Sequence, residues 1–69
     1  MKKVVQILEG PFKDFYGVVK EIINEHTICI VPIFGIQKEV KINSNNASYN
    51  VPSDAKKSTL EAYEKINKA

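Results

Sequence analysis

Branched apolar residues recur in four short runs along the first two thirds of the chain, with polar or turn-forming residues between them. The runs are Val4-Val5 with Ile7, Val18-Val19 with Ile22-Ile23, Ile28 through Ile33, and Ile36 with Val40 and Ile42. β-Branched side chains are stiff in helices and fit a pleated surface, so each run predicts a strand. Glu9-Gly10-Pro11, Asn24-Glu25-His26, Phe34-Gly35 and Ser44-Asn45-Asn46 supply the punctuation. Strands are expected near residues 3–8, 17–23, 27–33 and 36–43, with a short fifth around 47–51. Short strands spaced roughly 8–12 residues apart indicate a sandwich or barrel. The expected fold class is therefore all-β: a small five-stranded SH3-like barrel over residues 1–51.

Residues 52–69 form a second segment of different character, rich in Ala, Lys and Glu, after the break at Val51-Pro52. Ser58-Thr59-Leu60-Glu61 has capping-box spacing, and Glu61–Lys65 and Glu64–Lys68 are i,i+4 pairs in the favourable order. Leu60, Tyr63 and Ile66 form a narrow apolar stripe. A short C-terminal α-helix is expected, and so short a helix needs to dock to be stable.

Alternation within the strands shows where apolar surface is in surplus. In the fourth strand, even positions from Ile36 to Ile42, Lys38 excepted, are expected to face the core and odd ones water. The third strand is apolar on both faces, with Cys29, Val31 and Ile33 on one and Ile28, Ile30 and Phe34 on the other. A small barrel has one inside, so the second set needs either cover from the C-terminal helix or a partner. Pro32 lacks an N–H and belongs at a sheet edge, a bulge or a strand end, which makes residues 32–35 a surface corner. Residues 10–17 carry Phe12, Phe15 and Tyr16, three of the six aromatics in the chain. At least one is expected to plug the barrel, while others are available as interface anchors. Phe12, Phe15 and Phe34 are too many large rings for so small a core.

Composition narrows the function classes. The chain has 69 residues and a formal net charge of +2, and all ten of its basic residues are Lys. Without Arg there is no planar fork to read bases or phosphates. One Cys and one His allow neither an internal disulfide nor a structural zinc site, so no cofactor or metal is expected. No apolar run approaches the roughly 18–20 residues of a membrane span, and Met1-Lys2-Lys3 leads into Val4-Val5-Gln6 with no signal-peptide core. A cytoplasmic monomer without membrane contact is the expectation. Enzymatic activity is not expected: His26 sits in a turn, Cys29 lies among Ile and Val, and the glycines punctuate turns and cradle no phosphate.

The segments Gly10-Pro11-Phe12-Lys13-Asp14-Phe15-Tyr16-Gly17-Val18-Val19-Lys20-Glu21-Ile22 and Ile33-Phe34-Gly35, followed by Val40 and Ile42, resemble a KOW motif. More narrowly, they resemble the C-terminal domain of the NusG family of transcription elongation and antitermination factors. The similarity covers roughly residues 2–49. It implies a five-stranded barrel that docks a protein partner, either the ribosomal protein NusE or the terminator Rho. Carried over by position, Phe12 and Phe15 of the first loop and Ile33, Phe34 and Gly35 of the corner would make the contacts. The fourth strand would offer its backbone edge to a partner strand. Ile36 stands where the family usually has Arg, which makes the corner greasier and adds Ile36 as a sixth candidate partner contact, and residues past Tyr49 have no counterpart in the family pattern. Nor does the sequence contain a counterpart of the family's polymerase-binding domain; an excised domain, a stand-alone KOW protein and a specialised paralogue all fit it.

Two other readings compete. KOW domains also occur in ribosomal proteins, and Lys13, Lys38 and Lys41 with loop aromatics could bind RNA. Glu9, Asp14, Glu21 and Glu39 interleave with the lysines and oppose that field. Alternatively, the Leu60/Tyr63/Ile66 stripe folds over the outer face of the third strand and masks the partner site.

Overall fold

The computed structural model describes residues 2–67, with side chains through Lys65. Five antiparallel strands form one sheet: β1 (Val4–Ile7), β2 (Tyr16–Ile23), β3 (His26–Ile33), β4 (Ile36–Asn43) and β5 (Ala47–Ser48). A single 3-10 turn, Ser44–Asn46, precedes β5, and one helix, α1 (Ser53–Asn67), follows it. The strand order is β4-β3-β2-β1-β5, and the sheet curls into a half-barrel of the small SH3-like kind. Between Val19 and Glu21 the β2–β3 register shifts, and such a bulge bends a strand and increases its twist.

The inner face carries the core. Val5, Ile7, Cys29, Val31 and Val40 are buried together, and Phe12, Val19, Ile33, Ile42 and Ala47 pack against them. Gly17 sits among these residues because there is no room for anything larger. A Cβ there would lie 3.1 Å from Cys29 Sγ and 3.2 Å from Val31 Cγ2.

The outer face carries a second apolar layer. Val4 pairs with Val18 and Val18 with Ile30, so all three share one side of the sheet. Val4 and Val18 are buried, although they lie outside the inner cluster. α1 covers them, packing against β1, β2, β3 and β4. The Gln37 side-chain amide donates to the Tyr63 carbonyl oxygen at 3.1 Å, and Lys2 Nζ lies 5.5 Å from the Tyr63 ring centroid. Cover by the helix therefore accounts for Ile28 and Ile30 of the doubly apolar third strand, which are half-buried, but does not extend to Phe34, which is exposed.

Several local expectations are corrected. α1 begins at Ser53, so Ser58 lies inside the helix and caps nothing. The first helical bond runs from the Lys56 amide to the Pro52 carbonyl at 2.9 Å, which sets the start just after the proline. Asp54 stands in the first turn, where a carboxylate complements the helix dipole. Glu61 and Lys65 do not close an ion pair; among the described residues the one salt bridge is Lys20–Glu39. The Ile66 side chain and Lys68 lie outside the described residues. The buried helix position is Thr59, at 7% exposure, with Ala55, Ala62 and Tyr63 half-buried on the same face. On β4, only Val40 of the expected inward set is buried; Ile42 is half-buried and Ile36 is 66% exposed. Ile36 opens β4 directly after the turn, on the outermost strand, so little of the sheet reaches it.

Candidate functional site

Two turns bring the aromatic residues to one end of the sheet. In the β1–β2 loop, Gly10 has φ +95° and Asp14 has φ +71°. The Asp14 amide donates to the Ile7 carbonyl at 2.7 Å, and the Phe15 amide to the Phe12 carbonyl at 3.0 Å. This folds Phe12 inward against the core and leaves Phe15 42% exposed. The two rings meet edge to face, with centroids 5.9 Å apart. Phe12 is thus the plug expected of one loop aromatic.

The β3–β4 hairpin turns through Phe34 and Gly35, with Ile33 paired to Ile36. Both central residues have positive φ, +48° at Phe34 and +78° at Gly35. Tight two-residue hairpins favour this backbone because it matches strand twist, and Asn or Gly usually fill it. Phe34 occupies the left-handed region at a steric cost of roughly 1 kcal/mol or more. Its ring is 98% exposed, so no burial offsets that cost within the chain. Pro32 stands at the strand end, beyond the last β2–β3 pair at Val18–Ile30, where its missing N–H is tolerated.

Of the six residues proposed for a partner, the structure brings Phe15, Ile33 and Phe34 to one groove of about 420 Å³, with Gly35 in the adjoining turn. Pro32 and Val31 also line this groove, and Ser58, Thr59 and Ala62 of α1 form its other wall. Phe12 opens instead onto a separate groove of about 510 Å³ beside Val40 and Ile42 of β4. Ile36 is exposed on β4, which is the terminal strand of the sheet and pairs only with β3. That leaves one side of the β4 backbone unpaired by the sheet, a form of surface to which an extended segment can add.

The lysines named for RNA are interleaved with acidic and aromatic neighbours. Lys38 Nζ lies 5.6 Å from the Phe12 ring centroid, a cation–π arrangement. Lys41 lines the β4 groove together with Glu9 and Glu39. Lys13 is exposed in the β1–β2 loop. Lys20 bonds Glu39 at 2.8 Å, and this hydrogen bond, with the carboxylate's charge, raises the Lys20 pKa above its ordinary value.

Other chemistry is sparse. Cys29 is fully buried, and burial pushes its thiol pKa up, away from the reactive thiolate. No group of three or more His, Cys, Asp or Glu residues is placed to hold a metal among the described residues. No described helix is long and apolar enough to cross a membrane.

Sequence reasoning missed the α1 wall. Its contacting residues are small or polar, and only the i, i+4, i+7 spacing of Ala55, Thr59 and Ala62 marks their common face. Asp14 also lines the groove, and its place there depends on a left-handed backbone that no sequence pattern announced.

A family model described as the KOW motif matches residues 1–29, which spans β1, the aromatic loop, β2 and the first half of β3. No curated protein and no solved structure matches the chain.

Proposed function

We propose that the chain is a non-enzymatic docking module of a NusG-like transcription elongation or antitermination factor, binding NusE or Rho through the Phe15/Phe34 corner and the β4 edge. The KOW match suggests a small RNA- or protein-binding domain, and the choice between these ligands rests on the site. The observation that carries the protein reading is Phe34: a large ring, 98% exposed, held in a left-handed backbone that Asn or Gly would occupy with less strain. Strain retained at an exposed position supports a function for the side chain. Exposed aromatic rings are common anchors of protein interfaces. Phe15 and Ile33 extend the apolar surface beside it, and the unpaired edge of β4 can add backbone hydrogen bonds.

RNA binding through Lys13, Lys38 and Lys41 is the second reading, favoured by the loop aromatics and the net charge of +2. Glu9 and Glu39 beside Lys41 weigh against it. NMR titration of the chain with NusE, Rho and a generic RNA separates the readings. Protein docking shifts the Phe15 and Ile33–Gly35 amides and responds weakly to salt. RNA binding shifts amides near the lysines and weakens steeply as salt rises. Loss of at least about tenfold in affinity is expected for Phe34→Ala. Unchanged affinity for NusE and Rho in that variant removes the corner from the reading.

A further inference from the structure

α1 borders the Phe34 corner without covering it: Phe34 is 98% exposed with the helix in place, and Ser58, Thr59 and Ala62 line the same groove as Phe15 and Phe34. A mask would bury the ring. The three helix residues are small, so they form a wall without filling the space. Thr59 is buried and fixes that wall on the sheet, while Ser58 is exposed at the rim. The floor is Pro32 and Ile33.

The charge on the lining of this groove is one-sided. No lysine lines it, although lysines abound elsewhere, and its single charged lining residue is Asp14. Asp14 has no ion-pair partner among the described residues. Its position is set by the Asp14 amide bond to the Ile7 carbonyl and by φ +71°, a conformation Asp tolerates better than most residues. An apolar trough whose one charged lining residue is a carboxylate favours a cationic occupant and repels a phosphate chain.

We propose that α1 is part of the binding site, and that the composite groove takes a protein segment in which an apolar side chain is followed closely by Lys or Arg. The apolar side chain lies between Phe15 and Phe34 over Pro32 and Ile33, and the basic group pairs with Asp14. This rests on the reading of the Phe34 corner as a protein-docking site and adds to it the second wall and the chemistry of the occupant. Removal of α1 then weakens docking, the opposite of what masking requires.

The test is selection of displayed random short peptides on the full chain, with the Phe34→Ala chain as the counter-surface, followed by NMR titration of the enriched peptides. Enriched sequences are expected to pair an apolar residue with Lys or Arg and to shift the Phe15, Phe34 and Ser58–Ala62 amides together. Asp14→Asn and Ser58→Lys, both at exposed positions, are each expected to weaken these peptides by about fivefold. Peptides lost on Phe34→Ala but indifferent to Asp14→Asn and Ser58→Lys overturn the composite groove and leave the corner standing. Absence of enrichment over Phe34→Ala overturns the corner and the groove together. Shifts of the same amides by a generic RNA overturn the choice of a protein segment.

Discussion

The Gln37 side chain on β4 donates to the main-chain carbonyl of Tyr63 on α1 at 3.1 Å, tying the outermost strand to the helix across the back of the sheet. The bond is partly buried, and beneath it α1 covers the face that carries Val4 and Val18. Loss of one such bond costs about 1 kcal/mol. Gln37→Ala is therefore expected to lower the midpoint of thermal unfolding by roughly 4–8 °C. Amide hydrogen exchange should quicken in the C-terminal half of α1 before it quickens in β1–β3. Uniform acceleration across the sheet would mean that helix docking and barrel folding are one step.

Phe34 separates stability from function. With φ +48°, the position suits Asn, whose short polar side chain tolerates the left-handed region. Phe34→Asn is expected to stabilise the fold by about 1 kcal/mol, read by chemical denaturation. The same variant should lose partner shifts at Phe15 and Ile33. A destabilised Phe34→Asn chain would show that the ring makes favourable contacts in the free protein, contrary to its exposure.

Much of the fold was legible because its signals are local. The runs of β-branched residues in β1 to β3, the turn at Phe34-Gly35 and the break at Pro52 all lie within a few residues of what they determine. Phe34 could be placed at an exposed corner because Gly35 demands a turn and Pro32 ends the ladder on one side. The failures concern residues whose role depends on a distant element. Ile36 follows the alternation of β4 yet stands beyond the reach of the core. Ala55, Thr59 and Ala62 carry little hydrophobic signal, and they face the sheet because small side chains let a helix approach closely. Ser58 and Glu61 match a capping pattern, but Pro52 starts the helix earlier and leaves that pattern without a helix end to cap.

The Lys20–Glu39 pair predicts a pH response of known sign. The hydrogen bond to Glu39, then its charge, raises the Lys20 pKa above the ordinary 10.5. A raised folded-state value means the pair contributes fully below the unfolded lysine pKa and loses its contribution as pH rises through the folded one. Both side chains are more than half exposed, so the effect is screened by salt. NMR titration of the lysine side chains should place Lys20 above lysines without such a partner at low ionic strength. Glu39→Gln should return it toward them, and added salt should narrow the gap in the parent chain.

Gly17 tests whether the glycine at the centre of the KOW-like segment is held by packing. Its backbone has no positive φ, so conformational freedom is not the reason for a glycine. The reason is contact: an added Cβ meets Cys29 Sγ at 3.1 Å, Cys29 Cβ at 3.2 Å and Val31 Cγ2 at 3.2 Å, all in the buried core. Overpacking of this kind costs roughly 1–3 kcal/mol. Gly17→Ala is expected to destabilise the chain by that amount in denaturant titration. Cys29→Ala alone leaves a small void and should also destabilise. In the double variant the added methyl meets no sulfur, although the Cβ of residue 29 and Val31 remain close. The double change should therefore cost less than the sum of the single ones, with a coupling of about 0.5 kcal/mol or more. Strict additivity would assign the cost of Gly17→Ala to Val31 and the Cβ of residue 29 and remove the sulfur from the account.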